Sequence, residues 1–155
     1  MRIYNGILFN HESPRRGENF VSKKIVMAAA RIKRKEQDRL WLGNLEAKRD
    51  FGYAKEYMEW VWRIVQRDTP DDFLIATGET HSIEEFVERA FSGLGLNWHD
   101  HVLIDPDFMR PAEVDLLMGD ASKSRTVLGF EPAVKFDGLV DLMVEAEMGC
   151  AYVHP

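Results

Sequence analysis

The stretch that decides the fold is Ile3-Tyr4-Asn5-Gly6-Ile7-Leu8-Phe9, running into Asn10-His11-Glu12-Ser13-Pro14-Arg15-Arg16-Gly17. Its first half is rich in β-branched and aromatic residues and reads as a strand. Its second half carries Pro14, Gly17, an amide, an imidazole and two guanidiniums, and reads as a loop over His11 to Asn19. A polar loop just beyond the carboxyl end of a strand is where α/β sheets bind ligands. From Phe20 to about Lys35 the spacing changes: Val21, Ile25, Met27, Ala28, Ala29 and Ile32 follow a helical period and end in a basic run, Arg31 to Lys35. Strand, polar loop, helix is the opening of an α/β arrangement.

The rest of the chain repeats the alternation. Leu40-Trp41-Leu42 reads as a short strand stopped by Gly43-Asn44. A helix is expected from about Gly52 to Gln66, with Tyr53, Tyr57, Met58, Val61, Trp62 and Val65 recurring, ended by Asp68-Thr69-Pro70. Phe73 to Ala76 is a buried strand. Ser82 and Glu85 form a capping box that opens a helix through about Phe91, closed by Gly93 and Gly95. Val102 to Asp105 is another strand. Pro111 to Leu117 reads as a short helical turn, Ala121 to Leu128 as a helix closed by Gly129, and Phe136 to about Cys150 as a final amphipathic helix. The alternation predicts an α/β fold, and nothing in the pattern marks a repeat, a low-complexity segment or a linker.

Composition narrows the class. The 155 residues suit one domain or part of a larger one; 45% are hydrophobic and 30% charged, as in ordinary globular proteins. A formal net charge of -6 disfavours broad binding to nucleic acid. Cys150 is the single cysteine, so neither an internal disulfide nor a cysteine metal cluster is available, and a reducing cytoplasm is the expected compartment. No apolar run approaches the roughly 20 residues that span a bilayer. His99-Asp100-His101 with Asp105 invites a metal reading, but two clustered histidines are too few ligands, and no metal is expected. Tyr57, Trp60 and Trp62 read as core or interface.

Two absences matter. No Gly-x-Gly-x-x-Gly or P-loop occurs; Gly93-Leu94-Gly95 follows a helix and reads as a cap. No Tyr-x-x-x-Lys pair occurs either: Tyr53-Ala54-Lys55-Glu56-Tyr57 places its lysine two residues after the tyrosine.

Three motifs remain: Asn5 to Gly17; Leu42-Gly43-Asn44-Leu45-Glu46-Ala47-Lys48-Arg49-Asp50-Phe51-Gly52-Tyr53-Ala54-Lys55; and Arg110-Pro111-Ala112-Glu113-Val114-Asp115, with Ile75 to Glu79 between the last two. Together they resemble the GDP-mannose 4,6-dehydratases, extended short-chain dehydrogenase/reductase enzymes, across essentially the whole chain. The Asn5–Gly17 motif is the most specific, while Phe51 and Tyr53 depart from the family's Trp and His. The resemblance implies the C-terminal part of an NAD(P)-binding Rossmann-like fold with a small α/β substrate-binding lobe over residues 1–155. It also implies that the dinucleotide fingerprint and catalytic residues lie upstream, so the chain alone is expected to be inactive. The family is a lyase family: NADP oxidises C4 of GDP-mannose, water leaves across C5–C6, and the hydride returns to C6.

Residue by residue, the resemblance puts His11 and Arg16 on NADP. Asn10, Lys24 and Arg49 fall on the sugar-nucleotide diphosphate, and Gly43 and Asn44 on the nucleoside. Arg110 falls on diphosphate and Glu113 on ribose. A homo-oligomer and a GDP-fucose or GDP-rhamnose type of pathway are implied with it. Each residue has a plainer reading. Asn10 can cap a turn, and His11 can be a satisfied, partly buried histidine. Lys24 can face water, with Lys23 an equal candidate. Arg49 can pair with Asp50 or Glu46, and Arg15 and Arg16 can be a solvated turn. The other functions kept open are a related sugar-nucleotide epimerase or reductase and a non-catalytic binding module.

Overall fold

The computed structural model describes residues 1–109 and 114–149. Nine short strands and five helices alternate along them. Strand β1 (Asn5–Leu8) pairs in parallel with β6 (Asp72–Ile75). Strand β2 (Asn10–Glu12) pairs in parallel with β5 (Phe51–Tyr53), and β3 (Leu40–Leu42) with β8 (Val102–Ile104). Strand β4 (Lys48–Arg49) sits between β7 (His81–Ser82), antiparallel, and β9 (Leu116–Leu117), parallel. Parallel strands need crossovers, and helices supply two of them: α1 (Val21–Lys33) lies between β2 and β5, and α3 (Ile83–Ser92) between β3 and β8. Helix α2 (Ala54–Val65) returns the chain to β6; α4 (Ser122–Leu128) and α5 (Phe136–Glu147) complete the set.

The apolar residues form two cores. In the larger, α1, α3 and α5 pack together over β3, β5 and β8, with Ile25, Phe86, Phe91, Leu139 and Met143 fully buried. In the smaller, α2 and α4 close over β6 around Tyr57, Phe73, Ile75 and Phe130. Fully burying a side chain of this size contributes about 1.5–3 kcal/mol, so each core is substantial. The capping box of α3 forms as its sequence requires: Ser82 Oγ accepts from the Glu85 amide at 3.0 Å, and Glu85 Oε2 accepts from the Ser82 amide at 2.6 Å. Gly129 ends α4 with φ 69°, the left-handed conformation that glycine adopts without a steric penalty.

Several expectations are corrected. The first strand is shorter than Ile3 to Phe9, and residues 11 and 12, expected as the start of the loop, belong with Asn10 to β2 because β5 lies alongside. The second helix starts at Ala54, not Gly52, because residues 51–53 are taken up by that same pairing. Leu116–Leu117 is a strand against β4 and not part of a helical turn; residues 111–113 of that expected turn lie outside the described residues. The last helix ends at Glu147. His99 belongs to a 3-10 turn (Trp98–Asp100) and stacks on Trp98, so His99 and His101 do not share a strand face. Among the described residues no group of three His, Cys, Asp or Glu side chains is placed to hold a metal ion. No helix among them is long and apolar enough to cross a membrane.

Candidate functional site

The end of β1 and the whole of β2 fix the first group of candidates. Asn10 pairs with Phe51 at the start of β5, and Arg49 lies two residues earlier in the chain, on β4 of a different sheet. His11 pairs with Gly52, and its Nδ1 lies 2.8 Å from the Phe9 carbonyl. A carbonyl can only accept, so Nδ1 carries a proton, and whenever the ring is neutral its lone pair is on Nε2. His11 is therefore satisfied at one nitrogen and half-buried, as the plainer reading had it, with the other nitrogen still able to accept. Its ring lies 5.8 Å from that of Tyr57.

Arg16 is half-buried while Arg15 is exposed, which separates the two arginines. Arg16 Nε approaches Glu12 Oε2 at 3.0 Å, and its guanidinium carbon sits 3.6 Å from the centre of the Phe20 ring. The Nε–carboxylate approach is close but off the N–H direction: Nε is buried without an aligned hydrogen-bond acceptor. The contact is thus a charge pair more than an aligned hydrogen bond. Glu12 is buried and also receives the Ser22 hydroxyl at 2.5 Å. Burial raises its pKa above the ordinary glutamate value, opposed by the Ser22 hydrogen bond and by the charges of Arg16 and His11.

A second group lies along α1 and β3. Lys23 donates to the Pro14 carbonyl at 2.8 Å and pairs with Glu147, so it ties α1 to the loop and to α5. Lys24 is exposed, with its ammonium 5.6 Å from the centre of the Phe108 ring. The two adjacent lysines, equal in sequence, are unequal in structure, and Lys24 is the one that faces a cavity. That cavity, about 220 Å³, is lined by Glu18, Lys24, Met27, Arg31, Gln37 and Leu40 among others. Gly43 supports the same region: a Cβ there would lie 2.5 Å from the Phe108 carbonyl oxygen, so only glycine lets the 3-10 turn Pro106–Phe108 settle against β3. Asn44 Oδ1 accepts from the Glu46 amide at 2.8 Å, closing a turn.

Arg49 is tied to its own strand and to the chain alongside it. Its Nη1 donates to the carbonyls of Lys48 at 2.8 Å and Val114 at 2.6 Å. It thus lies on β4 beside the chain that follows Arg110 and Glu113; those two residues lie outside the described set. The structure brings Lys24 near the Phe108 ring and Gly43 against the Phe108 backbone, while Asn10 and Arg49 lie on strands of different sheets.

Sequence reading passed over Asp50. It is fully buried and accepts from the Thr77 amide and hydroxyl at 2.8 and 2.7 Å and from the Gly78 amide at 2.8 Å, with the Gly119 amide at 3.4 Å. Arg125 Nη2 donates to the Thr77 carbonyl at 2.5 Å from the other side. Asp50 therefore fastens the turn after β6 and the chain after β9 to the strand carrying Arg49. The signal was present as Thr77-Gly78, a pair suited to offering amides to a carboxylate, but nothing local in the sequence links it to residue 50.

Short parallel strand pairs joined through helices and packed into two cores define the class: part of a Rossmann-like α/β fold. Solved structures place it there. RMD from Pseudomonas aeruginosa, complexed with NADPH, superposes with a TM-score of 0.87 at 20% identity, covering 96% of this chain and 49% of that one. dTDP-glucose 4,6-dehydratase from Bacillus anthracis in complex with NAD gives 0.75 at 15% identity, covering 90% and 42%. At the sequence level the family model described as GDP-mannose 4,6 dehydratase matches residues 1–143, and the chain belongs to that family. GDP-mannose 4,6 dehydratase 2 of Arabidopsis thaliana is 55% identical over 147 residues, covering 95% of this chain and 39% of its own length. The Homo sapiens GDP-mannose 4,6 dehydratase is 45% identical over 168 residues, covering 97% and 45%. The chain thus spans less than half the length of these relatives.

Proposed function

We propose that this chain is the substrate-binding portion of a GDP-mannose 4,6-dehydratase. It binds GDP-mannose for NADP-dependent conversion to GDP-4-dehydro-6-deoxy-D-mannose, a lyase reaction, together with a portion that carries the Gly-rich fingerprint and the Tyr-x-x-x-Lys pair. The observation that carries this reading is the family match over residues 1–143, onto which the Asn5–Gly17 and Leu42–Lys55 motifs fall. The fit of the side chains supports it. Asn10, on β2, pairs with Phe51, two residues after Arg49 in the chain, and an amide and a planar guanidinium are groups that suit a diphosphate. Lys24 lines a cavity of about 220 Å³ and lies near the Phe108 ring, while Gly43 packs against the Phe108 backbone, so the residues read as diphosphate and nucleoside ligands lie around one turn.

NADP, when bound, takes up and returns the hydride. Toward it this chain offers two groups that fit. His11 Nε2 is an acceptor held in place by the Nδ1 hydrogen bond, and the Nη atoms of Arg16 make no hydrogen bond to the described residues. Arg110 and Glu113 belong to the same reading as diphosphate and ribose ligands. Assembly as a homo-oligomer, in the cytoplasm, completes it.

Calorimetric titration of the chain with GDP-mannose, with UDP-glucose as control, tests the proposal. Saturable binding selective for GDP-mannose and lost in Arg49→Ala is the expected result. A charge-assisted hydrogen bond contributes about 1.5–3 kcal/mol, so losing one arginine contact weakens binding at least about tenfold. Equal binding of the two nucleotides would argue against the family's substrate. No binding to either, even with the cofactor-binding portion of a relative supplied in trans, would sink the proposal.

A further inference from the structure

Glu12 has no assigned role, yet it is among the most deeply buried side chains in the molecule, at 1% exposure. A buried carboxylate costs free energy unless it is paired and hydrogen-bonded. Here both conditions come from one turn and the start of one helix. The Ser22 hydroxyl, in the first turn of α1, donates to Oε2 at 2.5 Å, and Arg16 Nε meets the same oxygen at 3.0 Å. The backbone between them is closed by the Arg16 amide, which donates to the Ser13 carbonyl at 2.9 Å. Phe20, 3.6 Å from the guanidinium carbon, lies against one face of the group.

Each contact restricts a different motion of Arg16. The carboxylate draws in the Nε side by charge at 3.0 Å, without an aligned hydrogen bond, and the aromatic ring lies against one face. The remaining edge, with both Nη atoms, has no hydrogen bond among the described residues. It is the edge whose two parallel N–H groups match a phosphate. Arginine loses much side-chain entropy when a ligand fixes it, and a guanidinium already fixed by its surroundings loses less.

We propose that Glu12 is a positioning residue that, with Phe20 and Ser22, preorganises Arg16 to receive a phosphate group of a nucleotide ligand through its Nη edge. The proposal rests on the reading above that Arg16 faces the cofactor, but it concerns an anion of any source and does not depend on recognition of GDP-mannose. Glu12 acts through Arg16 and does not itself meet the ligand.

Charge alone and positioning have opposite signs here, which makes the proposal testable. A carboxylate 3.0 Å from the guanidinium lowers the local attraction for an anion. If Glu12 did nothing but sit there, Glu12→Gln would tighten anion binding. If it positions Arg16, the same substitution loosens the fork and weakens binding. Glutamine retains the size of the side chain and an oxygen for the Ser22 hydroxyl.

The experiment is a titration of the chain, wild type and variants, with inorganic pyrophosphate and with NADP, followed by calorimetry and by the ¹⁵N resonance of Arg16 Nε. The expected result is that Arg16→Ala abolishes binding of both probes, while Glu12→Gln weakens it about five- to tenfold through lost preorganisation and broadens the Nε signal. Phe20→Leu, at a position that is 45% exposed and so tolerant of change, should weaken binding about threefold by releasing one face of the guanidinium. It keeps the test open should the buried substitution unfold the chain. Tighter or unchanged binding in Glu12→Gln overturns the proposal, and so does a wild-type chain that binds neither probe. Because Arg49 and GDP-mannose are not used, failure here is distinct from failure of the substrate reading.

Discussion

Asp50 shows what a single buried side chain can fix. Its carboxylate gathers the Thr77 hydroxyl and the amides of Thr77 and Gly78, donors from a turn 27 residues away. Truncating it leaves two backbone N–H groups without their acceptor, and each unsatisfied buried group costs about 1–3 kcal/mol. Asp50→Ala is therefore expected to destabilise the chain by about 3 kcal/mol in urea denaturation, and a loss below about 1 kcal/mol would contradict this account. Glu12 carries the opposite kind of signature. Burial raises its pKa in the folded chain from the ordinary 4.5. For a raised acid the stabilising contribution is present below the unfolded value and is lost as pH rises through the folded value. The stability of wild type relative to Glu12→Gln should accordingly fall as pH is taken upward from about 4.5, and a flat difference would show that the native and unfolded pKa values coincide. The sequence spelled out Arg16 as a candidate, but not Glu12: a glutamate four residues before an arginine is commonplace, and only burial makes it informative.

At the scale of elements, what was legible depended on what each element needs from elsewhere. Helices α3 and α5 and strands β3 and β8 carry their own signals, a capping box, a 3.6-residue stripe or an apolar run between breakers, and they lie close to where the sequence puts them. Strands β2, β4, β5, β7 and β9 are two or three residues long and exist only because a distant partner lies alongside, so no local pattern could mark them. The junction of β5 and α2 shows the cost of this. Tyr53 and Tyr57 are four apart and mimic a helical stripe, yet Tyr53 ends a strand and Tyr57 folds back over Gly52 so closely that a Cβ there would collide with the phenol ring. Gly52→Ala should therefore cost about 1–3 kcal/mol as overpacking, with the larger share expected because the ring is fully buried. In a double-mutant cycle with Tyr57→Leu the two costs should fail to add by about 1 kcal/mol or more, and simple additivity would show that the ring does not enforce the glycine. The candidate site divides along the same line: its arginines and lysines were visible as residue types, whereas the difference between Lys23 and Lys24 is created by Glu147, 124 residues away.

At the scale of the whole molecule, two of the exposed apolar surfaces, on β1 and on α2, bear on association. Strand β1 pairs only with β6 among the described residues, which leaves its other edge open; Ile7 on it is 54% exposed and Ile3, two residues before the strand, 58%. Helix α2 buries Tyr57, Trp60 and Ile64 on one side and shows Met58, Trp62 and Val65 on another, at spacings of four and three that form a continuous stripe. An open strand edge with flanking isoleucines is a template for pairing with another chain, and an aliphatic–aromatic helix stripe adds non-directional attraction. The chain by itself is therefore expected to self-associate, with a sedimentation coefficient that rises with concentration. Ile7→Lys should blunt the edge, because a charged side chain on an edge strand opposes strand addition, and Trp62→Lys should break the helix stripe. If β1 is the main route, Ile7→Lys restores a concentration-independent monomer and Trp62→Lys does so only in part; if the stripe dominates, the order reverses. A wild-type chain that sediments as a monomer at all concentrations and unfolds in one sharp, high-temperature transition would mean that both surfaces are compatible with an isolated, stable fold. In that case the two cores alone hold the molecule together, and neither exposed surface needs a partner.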